Sequence, residues 1–125
     1  MNFLIIDGSQ DKINFFSSYN NNSYHKTLKA SKNNNEKFSM ELFKFFDENS
    51  IKLGQINNIF VNQGPGKFSV IRTSISVAKA LIVSNKLNLY GFSTMDIKGN
   101  KYENIINLYK KGALTKNLIN AIYSS

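Results

Sequence analysis

The stretch that decides the fold is IFVNQGPGKFSVIRTSISVAKALIVSNKLNLYGFSTMD, residues 59–96. It opens on a short apolar run, Ile59 to Val61, of the length and kind that a buried strand needs. Gly64, Pro65 and Gly66 then form a corner, because the glycines can take positive φ and the proline fixes its own. A helix is predicted over 67–85, where Phe68, Ile71, Ile75, Ala78 and Ile82 make one apolar stripe. A further strand is predicted over 87–93. Strands joined through a helix are usually parallel, with a right-handed crossover.

Working outward, NFLII (2–6) reads as a buried strand, and KINFFSSY (12–19) as the second arm of a hairpin. Ile13 and Phe15 alternate with polar residues there, and Phe16 breaks the alternation. YHKTLKAS (24–31) reads as an edge strand guarded by charge, and KNNNE (32–36) as a loop. KFSMELFKFFDEN (37–49) is predicted helical, with Phe38, Leu42, Phe45 and Phe46 on one face. Met40 and Phe43 widen that face beyond what one sheet contact uses. The tail holds two amphipathic segments, 102–110 and 114–123, with Gly112 between them. The expected architecture is α/β: a mixed five-stranded sheet with the element order βββαβαβ, flanking helices and a short helical tail. One domain over 1–97 and a tail over 98–125 is the expected division of the 125 residues.

Composition narrows the function classes. With no cysteine, disulfides and thiolate metal sites are excluded. Apolar runs are only a few residues long, so no transmembrane helix is expected. Met1 leads straight into NFLIID without a basic segment, so no secretory leader is expected, and the cytoplasm is the expected compartment. The formal charge of +8, from 16 Lys+Arg against 8 Asp+Glu, invites a nucleic-acid partner. The footprint rule asks for clustering, and the clearest clusters are Lys26/Lys29/Lys32 and Lys98/Lys101/Lys110/Lys111/Lys116. The competing reading is a solvated lysine surface.

The corner at 64–66 does not match the common phosphate-binding and catalytic motifs. A Walker loop needs glycine where Val61 stands and Ser or Thr where Phe68 stands. The dinucleotide fingerprint lacks its third glycine, and no nucleophile elbow is present. His25 is the sole histidine, so neither a triad nor a two-histidine metal site can be assembled, and no metal is expected. Asp7 closes the first strand, where it can meet a metal or a sugar hydroxyl or, more commonly, cap a turn through its own backbone. The helix carries a second stripe of small residues, Ser69, Thr73, Ser76 and Ala80, which lets another helix approach closely. Together with the surplus aromatics of 37–49, it points to a helix-packing face.

The residues FLIIDGSQDKINFFSS and IFVNQGPGKFSVIRTSISVAKALIVSNKLNLYGFSTMD resemble the TsaB (YeaZ) family. Its first strand ends Ile-Asp-Thr-Ser, here Ile6-Asp7-Gly8-Ser9. Its signature, Gly-Pro-Gly-Ser-Phe-Thr-Gly-(apolar)-Arg, stands here as Gly64 to Arg72. An alanine-lysine helix (Ala78-Lys79) and a strand ending Gly-(apolar)-Ser-Thr (Gly91 to Thr94) follow without a gap. The resemblance covers about residues 1–97 and implies an actin-like ATPase-type half of ribonuclease-H-like topology.

It further implies a non-catalytic scaffold that pairs with the catalytic subunit TsaD, which transfers a threonylcarbamoyl group to adenosine 37 of tRNA. A small ATPase, TsaE, joins them, tRNA is reached through the complex, and the protein alone can form a homodimer. The implied interface is the two helices, with Phe38, Leu42, Phe43 and Phe46 on the first and Ser69, Arg72, Thr73, Ser76 and Ala80 on the second. Asp7, Gly64, Pro65 and Gly66 are the loop and signature positions. No cofactor is expected; the one place left for ATP or ADP is the partner interface. The chain departs from the family at Gly8 (for threonine), Lys67 (for serine), Val70 (for glycine) and Phe38-Ser39-Met40 (for His-Ser-Glu), and it matches only the first of two similar domains. These changes fit a reduced scaffold that has lost nucleotide handling. The alternative is a small basic tRNA-binding module without catalytic activity. A peptidase or other hydrolase is disfavoured by the missing His/Cys/metal constellation.

Overall fold

Val, Ile and Phe in short runs, fenced by Asn-, Gly- and Asp-rich turns, dictate strands that must be covered on both sides. The computed structural model describes residues 1–99, 102–117 and 119–122. Strand β1 (Phe3–Asp7) is buried along its whole length. Strands β2 (Lys12–Tyr19) and β3 (Asn22–Lys29) return antiparallel beside it, in register Ile6↔Phe15 and Phe16↔His25. A short helix, α1 (Lys32–Glu36), and a longer one, α2 (Phe38–Glu48), carry the chain back across the sheet. Strand β4 (Asn58–Asn62) then runs parallel to β1, α3 (Phe68–Ser84) crosses over, and β5 (Asn88–Phe92) lies parallel to β4. Helix α4 (Glu103–Lys110) and a two-residue strand β6 (Thr115–Lys116) complete the order β3-β2-β1-β4-β5-β6. This is a mixed α/β sheet between helices, with the ribonuclease-H-like, actin-like half topology that the sequence led us to expect.

Two cores result, one on each face. On the first, α2 and α3 cover Leu4, Ile6, Ile13, Phe15, Ile59, Val61 and Leu89. Phe15 is the hub, with its ring 5.4 Å from Phe38 in an edge-on arrangement and 5.9 Å from Phe45. Such pairs add about 0.5–1.5 kcal/mol beyond area burial. On the second face, α4 lays Ile105 on Phe3, Ile5, Phe60 and Phe92. Tyr109 stands edge-on to Phe60 at 5.3 Å and to Tyr90 at 5.0 Å.

Several expectations are corrected. The sheet has six strands, not five. Without Thr115 and Lys116, β5 would be an open edge with unpaired backbone groups; their pairing, Tyr90↔Lys116 and Gly91↔Thr115, satisfies them. The second amphipathic segment of the tail is therefore a two-residue strand and irregular chain across its described residues. Asn117 takes φ 67°, and its N–H donates to the Leu89 carbonyl at 2.9 Å. Residues 100, 101, 118 and 123–125 of that tail, Lys101 among them, lie outside the described residues. β3 begins at Asn22 rather than 24, because Asn20 and Asn21 (φ 50° and 67°) close a two-residue hairpin turn. The predicted loop 32–36 is helical, since the Ser31 hydroxyl accepts from the Asn34 N–H at 3.1 Å and caps it. Phe68, placed in the core-facing stripe, is 53% exposed; it is the first residue of α3, and Val70, Ser74 and Leu81 fill the buried face instead.

Candidate functional site

Two regions hold the residues singled out in the sequence. The first is a polar node where β1 and β4 end side by side. Parallel pairing brings Asp7 and Asn62 to the same rim. Asp7 Oδ1 accepts from the Ser9 N–H at 3.1 Å, the turn cap favoured in the sequence, and from Asn62 Nδ2 at 2.8 Å. Asp7 Oδ2 accepts from the Tyr102 hydroxyl at 2.8 Å. Asn62 in turn uses Oδ1 to accept from the Gly64 N–H at 2.8 Å, and the Thr94 hydroxyl donates to the Pro65 carbonyl at 2.6 Å. Burial, then the charge of Asp7 beside it, pushes the Tyr102 phenol well above its ordinary range. The phenol therefore stays protonated and acts as a donor. The carboxylate is shared among three donors and ties together the first turn, β4 and the tail.

The signature corner is packed rather than open. Gly64 has φ +105°, and a Cβ there would lie 2.4 Å from the Ile122 carbonyl oxygen. A Cβ on Gly66 would lie 3.1 Å from Ile71 Cδ1 and 3.3 Å from the Gly8 carbonyl oxygen. The glycines are needed for close approach of chain to chain.

The second region is the outer face of α2 and α3. Here the structure divides the interface residues. Phe38, Leu42 and Phe46 point into the first core and are not surface groups; this corrects their assignment to the interface, because the three lie on the stripe that packs on Phe15 and its neighbours. Phe43 is 47% exposed, and Ser69, Arg72, Ser76 and Ala80 are also exposed, with Thr73 half-buried. These residues line two adjoining grooves of about 360 Å³ and about 310 Å³ that share Ser76 and Val77. Arg72 lies over the exposed Phe68 ring, 5.1 Å from its centroid. Small side chains along a helix flanked by Met40, Phe43 and Phe68 make a furrow that a second helix can enter.

Lys26 and Lys29 of the first lysine cluster do not share one face. Lys26 turns toward α2 and pairs with Glu41 at 3.3 Å and Glu48 at 3.5 Å. Lys29, three residues on, belongs to the other face of β3. The sequence reading missed Asn62 and Tyr102. Asn62 was detectable as the polar end of an apolar strand parallel to β1. Tyr102 carries no local signal, since it meets Asp7 across 95 residues of chain.

The family model described as "TsaD: tRNA N6-adenosine threonylcarbamoyltransferase" matches residues 19–103. The chain is 41% identical over 51 residues to the tRNA threonylcarbamoyladenosine biosynthesis protein TsaB of Buchnera aphidicola subsp. Schizaphis graminum, a match covering 41% of this chain and 24% of that relative. Among solved structures, YeaZ from Pseudomonas aeruginosa superposes with a TM-score of 0.72 at 16% identity, covering 89% of this chain and 50% of that one. A second Pseudomonas aeruginosa structure, described as similar to the peptidase YeaZ, gives 0.72 at 16% identity, covering 89% of this chain and 49% of its own. T. thermophilus RuvC in complex with a Holliday junction substrate gives 0.52 at 8% identity, over 77% of this chain and 66% of that one. At these identities the structural likenesses establish the fold, and the chain spans about half the length of its YeaZ relatives, 50% and 49%. Among the described residues no helix is long and apolar enough to cross a membrane. The chain belongs to the TsaD family of tRNA N6-adenosine threonylcarbamoyltransferase proteins.

Proposed function

We propose that this protein is a non-catalytic scaffold subunit of the tRNA threonylcarbamoyladenosine machinery. It pairs through the outer face of α2 and α3 with a TsaD-type catalytic subunit that modifies adenosine 37 of tRNA in the cytoplasm. The observation that carries this reading is the furrow itself: exposed Phe43 and Phe68 beside the small side chains Ser69, Thr73, Ser76 and Ala80 on a chain of this family. Exposed apolar surface rimmed by polar groups marks interaction sites. A buried Asp7 whose oxygens are taken by Ser9, Asn62 and Tyr102 supports the non-catalytic part of the reading. A TsaE-type ATPase and tRNA join through the catalytic subunit, and the same furrow mediates a homodimer when that subunit is absent.

The test is co-elution with the TsaD subunit of the same organism in size-exclusion chromatography at micromolar concentration. Wild type co-elutes, and Ser76→Arg, which places a long cation in the furrow without touching the core, does not. Failure of the wild-type protein to associate overturns the proposal; association that survives Ser76→Arg moves the interface off α3.

A further inference from the structure

Phe16 breaks the polar alternation of β2 because it serves the second face of the sheet, opposite the α2–α3 furrow. Its ring stands 6.2 Å from that of Phe3, 6.1 Å from His25 across the β2–β3 register and 5.4 Å from Tyr102 of the tail. These four rings border a cavity of about 370 Å³. Ser18 and Ser23, partners across the same ladder, bring two hydroxyls to its wall, and Glu103, the first residue of α4, brings a carboxylate. The cavity is thus walled by aromatic rings and rimmed by oxygen acceptors, and no lysine or arginine lines it.

Two carboxylates set the sign of charge there. Glu103 is exposed and has no ion-pair partner among the described residues. Asp7 lies behind Tyr102, accepting from its hydroxyl at 2.8 Å. The donors that hold Asp7 are the Ser9 N–H, the Asn62 amide and that phenol, all uncharged, so no paired cation cancels its charge. Lys12 reaches the adjoining cavity that Asp7 lines, without an ion pair to it. Lys12 and Lys29 are the lysines on this face of the hairpin, paired in register four residues along the strands from Phe16 and His25. Those backbone positions stand about 13 Å from the rings, at about 3.3 Å per residue.

Aromatic rings attract a cation through their quadrupoles, carboxylates beside them add to that attraction, and an apolar wall takes the methylene stem that carries the charge. We infer that this cavity binds a primary alkylammonium group, its stem against Phe3, Phe16 and Tyr102 and its ammonium nitrogen at Glu103 and the Ser18 and Ser23 hydroxyls. The three N–H donors of an ammonium match that set of one carboxylate and two hydroxyl oxygens. Such a group comes from a free polyamine or from a lysine side chain of a polypeptide.

The experiment titrates the isotopically labelled full chain with N-acetyl-lysine amide, with its Nε-acetylated form and with spermidine, read by amide NMR shifts. The lysine derivative gives saturable shifts centred on Phe16, Ser23 and His25. The Nε-acetylated form, which keeps the stem and loses the charge, binds at least about tenfold more weakly. Glu103→Gln weakens the cationic probe by about tenfold and leaves the neutral one unchanged. Phe16→Leu, which keeps an apolar side chain and removes the ring, also weakens the cationic probe by about tenfold. Glu103 is exposed, so its variant keeps the fold and reads the site even where Phe16→Leu perturbs β2. Spermidine that binds at least about tenfold tighter than the lysine derivative assigns the cavity to a free polyamine, and equal or weaker binding assigns it to a lysine side chain. No saturable shifts with either cation at millimolar concentration, shifts that map to other residues, equal binding of the neutral probe, or wild-type binding by Glu103→Gln would each overturn the inference.

Discussion

A Cβ on residue 8 would lie 2.5 Å from Val70 Cγ1, so the glycine of the first turn and the valine of α3 are a matched pair. The family pattern places threonine and glycine at these two positions; here the bulk stands on the other side of the same contact. Valine in a helix has essentially one χ1 rotamer, so it cannot swing away to admit a side chain. Gly8→Thr and Val70→Ala are each expected to cost about 1–3 kcal/mol, by overpacking and by a cavity respectively. The double variant costs less than the sum by about 0.5–3 kcal/mol. Urea unfolding of the four proteins checks this, and strict additivity contradicts the pairing.

The Asp7–Tyr102 bond predicts a pH signature. The folded-state pKa of Tyr102 is raised from an ordinary 10.0, by burial first and then by the Asp7 charge. The folded protein therefore holds the phenolic proton more tightly than the unfolded chain. Its contribution is complete below the unfolded value of 10.0 and is lost as pH rises toward the folded value. Above pH 10.0, the wild type should lose about 1.4 kcal/mol per pH unit that Tyr102→Phe does not lose. Below it, Tyr102→Phe should be less stable by about 1–3 kcal/mol, because Asp7 loses a donor.

The division of the α2–α3 residues separates stability from association. Leu42→Ala, in the core, should cost about 2–5 kcal/mol. Phe43→Ser, on the surface, should leave the melting temperature nearly unchanged while weakening association with the catalytic subunit by about tenfold or more. Calorimetry and a binding titration on the same two variants decide the matter; a large stability loss from Phe43→Ser would place it in the core after all.

The tail is expected to be structural. Ile119 is fully buried in the first core, and the Ile122 N–H donates to the Gln63 carbonyl at 2.7 Å. Ile119→Ala should cost about 2–5 kcal/mol. Gly64→Ala should be at least as damaging, since its Cβ would meet the Ile122 carbonyl oxygen at 2.4 Å on a backbone with φ +105°. Thermal unfolding of the two variants tests both, and a wild-type melting temperature in either would show that the tail does not close on the corner.

The sequence by itself determined whatever depends on neighbours in the chain. The apolar run 59–61, the Gly-Pro-Gly corner and the stripe from Ile71 to Ala78 specified a strand, a turn and a helix, because each is set by periodicity and local backbone freedom. The same locality explains why Asp7 was recognisable as a turn cap and Ser76 as part of a small-residue stripe. Tertiary structure alone decided which side chains share a site. Phe38, Leu42 and Phe46 share a helix with Phe43, but only packing on Phe15 showed that they face inward. Thr115 and Lys116 became a sixth strand because the β5 edge needed partners, and Tyr102 joined Asp7 because α4 returns to the sheet's second face. Periodicity records what a residue can do in its own element; which element it meets is fixed by the burial of surfaces far apart in the chain, and no local pattern encodes that.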